Sequence, residues 1–253
     1  MTRAGATGHR PYPRVVAHRG GGALAPENTL GAIRHGASLG FKGVELDVRI
    51  AGDGTPVVIH DPTLERTTDG RGEVARLAYA EIARFDAGVR AGDAWRGERV
   101  PRFDEAARLC RELQLWANVE IKAPTGMERA VGEAVARAAA ELWRGAEPQP
   151  VLSSFSAEAL EGARSASPEL PRALLVSRRA LPGWAERLAA LECVALHADF
   201  ALVTEALVRE QHAAGRAVLA WTVNDPADAR RLLGLGADSL VTDALERIGP
   251  EFR

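Results

Sequence analysis

Eight apolar runs of strand length, separated by helical patterns and lacking a glycine-rich dinucleotide turn, predict a closed (β/α)8 TIM barrel. The runs are Arg14 to His18, Gly43 to Val48, Leu115 to Ile121, Pro150 to Ser153, Arg172 to Val176, Cys193 to His197, Ala217 to Thr222 and Ser239 to Thr242. Such alternation means parallel strands, and a chain of 253 residues has the usual length of one barrel. Between the runs, Phe103 to Leu113, Met127 to Trp143, Ala157 to Ala166, Thr204 to Ala214 and Pro226 to Leu233 read as helices. The first helix starts at Pro26-Glu27-Asn28-Thr29, with Asn28 or Thr29 as its cap, and ends near Gly40.

A ninth run, Pro56 to His60, follows the second too closely for a parallel crossover, and Asp53-Gly54 is a hairpin signal. It is therefore expected to be antiparallel, folding His60 back opposite the Glu45 to Asp47 region. Asp61 to about Val100, rich in Gly, Asp and Arg, is too long for an ordinary loop and predicts a small capping insertion after the second strand. Residues 1–13 read as a tail and 14–253 as a single domain.

Composition narrows the function. The hydrophobic fraction of 46% and charged fraction of 26% suit a globular protein with a sizeable core. A net charge of -2 without a long basic run argues against a nucleic-acid partner. The opening residues MTRAGATGHRPYPR lack the apolar stretch of a secretory signal, and no run approaches a membrane span. The expectation is a cytoplasmic protein without stable membrane insertion, whose oligomeric state the sequence leaves open. Cys110 and Cys193 form no CxxC pattern and read as buried free thiols.

Strand alternation then picks out chemistry. In GVELDVRI, Glu45 and Asp47 share one face while Val44, Leu46 and Val48 take the other; in ANVEIKA, Asn118, Glu120 and Lys122 point inward. Carboxylates crowded inside a barrel repel one another unless a cation or protons neutralise them. Three oxygen donors without cysteine suit a hard divalent ion, Mg²⁺ or Ca²⁺. Taken singly, each carboxylate could equally sit at a solvated strand end or in an ion pair. His18 ends the first strand and His60 ends the hairpin arm, so both approach the mouth where barrel active sites form, and an imidazole titrating near pH ~6.5 can act as acid or base. His9, His35 and His212 read as ordinary polar side chains, and His197 ends a strand with nothing pairing it to the cluster. The glycines Gly20 to Gly22 lack a nucleotide fingerprint. Arg19, beside His18, can hold an anionic oxygen in bidentate fashion. Lys122, one of only two lysines among 32 basic residues, would be a point charge on the same anion.

HRG followed by PENT, ELDV, His60-Asp61, TTDGRG, VEIK, Ser154-Phe155, WTVN at Trp221 to Asn224 and VTD at Val241 to Asp243 occur in order on the expected elements. From about Val15 to Asp243 the chain closely resembles the glycerophosphodiester phosphodiesterase family, bacterial cytoplasmic type, a TIM-barrel relative of the phospholipases C. The resemblance implies hydrolysis of glycerophosphodiesters such as glycerophosphocholine or glycerophosphoethanolamine to sn-glycerol 3-phosphate and an alcohol. It implies metal ligation by Glu45, Asp47 and Glu120, a general acid/base pair in His18 and His60, phosphate contacts from Arg19 and Lys122, and a pocket side lined by Phe155 and Trp221. It also suggests attack by the glycerol 2-hydroxyl through a cyclic phosphate, direct attack by water being the alternative. Competing readings are a related phosphodiesterase acting on lysophospholipids or glycerophosphoinositol, and a non-catalytic binding barrel.

Overall fold

The structure, a computed structural model, describes residues 12–179 and 183–253; His9 and most of the expected tail lie outside them. Eight parallel strands close into the barrel: β1 (Val15–Ala17), β2 (Gly43–Ile50), β4 (Trp116–Ile121), β5 (Val151–Ser154), β6 (Arg172–Val176), β7 (Ala195–Asp199), β8 (Ala217–Trp221) and β9 (Ser239–Thr242). Each pairs with the next in that order, and β9 returns to β1, which also pairs β2. The remaining strand, β3 (Pro56–Val58), is antiparallel to β2, with Val48 opposite Val58, as the hairpin signal requires.

The helices are α1 (Leu30–Ser38), α2 (Tyr79–Ile82), α3 (Phe103–Glu112), α4 (Glu128–Leu142), α5 (Ala157–Ala166), α6 (Trp184–Ala190), α7 (Glu205–Ala213) and α8 (Pro226–Gly234). Several begin where a short polar side chain satisfies an orphan backbone N–H: Thr29 accepts from Ala32, Ser156 from Ala159, Thr204 from Leu207 and Asp225 from Ala227. Thr29, not Asn28, is thus the cap of α1, and Asn28 is freed for another task. Helices α4 and α5 cross backbone to backbone, since a Cβ on Gly132 would collide with the Ala159 carbonyl and one on Gly162 with that of Arg129.

Burial follows the alternation of the strands. Val44, Leu46, Val48, Val119 and Ile121 point outward into the layer between sheet and helices. Inside, Tyr12, Val16, Trp116, Val151, Ala173, Ala195, Leu219 and Val241 form a smaller apolar cluster. Tyr12 and Trp116 meet with ring centroids 4.8 Å apart. His197, expected at a strand end, instead lies within β7, fully buried, because that strand runs on to Asp199. Cys110 and Cys193 are buried and free.

Residues 61–100 carry α2 and short 3-10 turns over their own cluster of Leu64, Val74, Ile82, Ala87 and Val100, joined by Val57 and Ile59 from the hairpin. This segment docks on α1: Glu98 accepts from Gly31 N at 3.1 Å, and Trp95 meets His35 edge-on at 5.7 Å. Among the described residues no helix is long and apolar enough to cross a membrane.

Candidate active site

A pocket of about 190 Å³ opens at the C-terminal ends of the parallel strands, where barrel enzymes work. His18, Arg19, Glu45, His60, Glu120, Lys122, Phe155 and Trp221 all line it. Asp47 lies beneath them, 1% exposed. The sequence-selected residues therefore converge on one place although they come from six strands and the turns after them.

Parallel pairing of β2 with β4 explains the acidic cluster, since it sets Glu45 opposite Asn118 and Asp47 opposite Glu120 on the inner face. One carboxylate oxygen from each of Glu45, Asp47 and Glu120 lies within 4.8 Å of the others. Burial, and then the charge of Asp47, pushes the Glu45 carboxyl well above its ordinary range; the same two causes raise Glu120. For Asp47 burial acts in the same sense, but Lys122, His60, Arg19 and the Asn28 hydrogen bond outweigh it and keep it ionised. Asn28 donates from Nδ2 to Asp47 Oδ2 at 2.8 Å and accepts the Asp47 N–H at 3.1 Å. Arg19 Nε is 3.4 Å from Asp47, and Lys122 Nζ lies 3.3 Å from Asp47 and 2.5 Å from Glu120. Glu45 Oε2 accepts from Arg19 N at 3.0 Å, whereas its Oε1 is buried with no hydrogen-bond partner. An orphaned buried oxygen, three clustered carboxylates and an all-oxygen donor set together fit a hard divalent cation.

Both histidines are anchored through Nδ1. His18 Nδ1 lies 2.6 Å from Asp243 Oδ1, and Asp243 in turn accepts from Asn224 Nδ2 at 3.0 Å. His60 Nδ1 lies 2.7 Å from Asp61 Oδ1. A carboxylate at Nδ1 demands a proton there, which leaves Nε2 as the nitrogen that gains and loses one. Burial alone would disfavour a charged His18, but the Asp243 hydrogen bond and the nearby Glu45 reverse this and hold it above its ordinary value. Burial prevails at His60 and lowers it. Hydrogen bonds from Arg66 and His60 hold Asp61 far below the usual carboxylate range despite partial burial.

On the other wall Phe155 and Trp221 meet edge to face with centroids 5.4 Å apart, and Lys122 Nζ sits 5.7 Å from the Phe155 ring. Trp221 is fixed by its Nε1–H, which donates to the His197 carbonyl at 3.0 Å. Sequence reasoning did not single out Asn28, Asp243, Asn224, Glu27, Asp61 or Arg66 for the site. Most lie inside quoted motifs, but nothing in the order of residues says which carboxylate meets which histidine.

Fold and pocket together define a (β/α)8 barrel with a polar site at its mouth, built over a buried acidic triad. Residues 18–247 match the glycerophosphoryl diester phosphodiesterase family, and the chain belongs to it. A glycerophosphodiester phosphodiesterase of Caldanaerobacter subterraneus is 33% identical over 92% of this chain and 95% of its own. A phosphodiesterase of Oleispira antarctica, solved in complex with the product sn-glycerol-3-phosphate, superposes with a TM-score of 0.84 at 36% identity, over 92% of this chain and 93% of its own. A glycerophosphodiester phosphodiesterase of Agrobacterium tumefaciens gives 0.78 at 28% identity, over 92% and 96%. The protein is an enzyme, a glycerophosphodiester phosphodiesterase.

Proposed function

We propose that this enzyme hydrolyses glycerophosphodiesters, glycerophosphocholine and glycerophosphoethanolamine among them, to sn-glycerol 3-phosphate and the free alcohol. Glu45, Asp47 and Glu120 would hold Mg²⁺ or Ca²⁺, and His18 and His60 would divide the proton transfers. The observation that carries this reading is the acidic triad lying in one pocket with two imidazoles, each gripped at Nδ1 by its own carboxylate. The product bound in the Oleispira antarctica relative supports the substrate class. The domain reading is one barrel, 14–253, with 61–100 as an insertion.

The bound cation would polarise a phosphoryl oxygen as a Lewis acid. Arg19 and Lys122 would hold the other non-bridging oxygen, and Phe155 with Trp221 would close the apolar side of the pocket. One imidazole, neutral at Nε2, takes the proton of the attacking hydroxyl as its oxygen bonds to phosphorus. The other, charged, gives its Nε2 proton to the alcohol oxygen as the second phosphorus–oxygen bond breaks. Attack by water gives glycerol 3-phosphate in that one displacement, whereas attack by the glycerol 2-hydroxyl leaves a cyclic phosphate, which water then opens as the two imidazoles exchange roles, one taking the water proton and the other returning a proton to the 2-oxygen; only this second route requires the 2-hydroxyl. Activity on a 2-deoxyglycerol diester separates the routes.

The test is calorimetric cation binding beside turnover. Glu45→Gln is expected to lose both, whereas His60→Ala keeps cation binding and loses turnover by about 10²- to 10⁴-fold. Full turnover in either variant contradicts the proposal.

A further inference from the structure

Two site residues of different elements are tied together through one side chain of the inserted segment. Arg66 donates from Nη1 and Nη2 to Oε2 and Oε1 of Glu27 at 2.6 and 2.7 Å. From Nε and Nη2 it donates to Oδ2 and Oδ1 of Asp61 at 2.6 and 2.9 Å. Two edges of one guanidinium are thus each taken by a carboxylate. Both carboxylates lead back to the pocket: Glu27 Oε1 accepts from Arg19 Nη1 at 2.8 Å, and Asp61 Oδ1 holds His60 Nδ1 at 2.7 Å. The sequence of contacts is His60, Asp61, Arg66, Glu27, Arg19. Arg66 itself does not line the pocket.

The Arg66 side chain is 46% exposed, so water screens its ion pairs and weakens what they add to folding. What four charge-assisted hydrogen bonds do supply is direction. Each fixes one carboxylate rotamer, and each carboxylate fixes the group on its far side. Glu27 and Asp61 are 20% and 22% exposed, so without Arg66 both could turn to solvent. A lysine offers a point charge and cannot fork to both at once.

We propose that Arg66 is a positioning residue for the phosphodiesterase reaction, setting Arg19 and His60 in one shared geometry, so that the inserted segment contributes to turnover through a side chain that never meets substrate. This rests on the roles of Arg19 and His60 given above.

The experiment measures glycerol 3-phosphate release from glycerophosphocholine, with thermal stability, for Arg66→Lys, Arg66→Ala, Glu27→Gln and His60→Ala beside the unaltered enzyme. Arg66→Lys and Arg66→Ala are expected to stay folded and to lose kcat on the order of 10²-fold, lysine failing nearly as badly as alanine. Added guanidinium ion is expected to restore part of the Arg66→Ala rate, which a merely structural role would not allow. Glu27→Gln cuts the same chain from the barrel side and decides the matter if the Arg66 variants unfold; it too is expected to lose kcat. Where His60→Ala abolishes turnover but Arg66→Lys, or Glu27→Gln in its place, keeps kcat and KM within about twofold, the positioning role is overturned and the site reading stands. Full turnover in His60→Ala overturns both.

Discussion

Asp243 and Asp61 do for the two imidazoles what neither could do for itself: they fix the ring and its tautomer. Asp243→Asn removes the negative charge that holds the proton on His18 Nδ1, and kcat/KM is expected to fall by about 10²- to 10⁴-fold with thermal stability little changed, measured by steady-state kinetics and melting. His18 and His60 were legible in the sequence because each ends a strand or an arm. Asp243 was not, since it stands 225 residues from His18 and only barrel closure brings them together. Asn28 was legible as a polar residue near a helix start but not as the partner of Asp47. His197 makes a different point. It is buried inside the barrel with neither ring nitrogen hydrogen-bonded, and burial pushes its pKa down to about 3. Because its folded pKa lies below the unfolded value of about 6.5, the unfolded chain binds more protons between those limits, and stability falls as pH drops through that window. A slope of up to about 1.4 kcal/mol per pH unit from this one group is expected in urea denaturation, and His197→Leu should flatten it.

At the scale of elements, the period-two alternation of β2 and β4 was enough to place Glu45, Asp47 and Glu120 on a common face, and the register confirms that geometry. Strand ends were less readable. The chain gives no local signal that β7 continues past His197 to Asp199, and that extension is what moves His197 from mouth to interior. The contact of α4 with α5 was also hidden, because a glycine within a helical pattern reads only as a weak helix former until its neighbour is known. With a carbonyl of the opposing helix against each of Gly132 and Gly162, Gly162→Ala forces the helices apart. The expected cost is about 1–3 kcal/mol in chemical denaturation, with kcat of the folded enzyme unchanged, because the crossing lies on the outer layer.

For the whole molecule, barrel closure and the inserted segment do separate work. Closure collects residues from β1, β2, β4, β5 and β8 into one pocket, and its strand count could be read from the alternation of runs. The segment 61–100 could be located by its length and composition, but not the way it docks on α1 or the place of Arg66 between Asp61 and Glu27, which depend on tertiary packing. Matches over nearly the full chain place the molecule in its family. The proposed mechanism adds that a divalent cation in the buried triad and the two histidines act together on a glycerophosphodiester. The direct measurement is glycerol 3-phosphate release from glycerophosphocholine by the purified enzyme, first with EDTA and then with Mg²⁺ or Ca²⁺ restored, beside His18→Ala. The account expects activity to vanish on chelation, return with one of the two ions and stay absent in His18→Ala under every condition. Undiminished release in EDTA, or by His18→Ala, would contradict it.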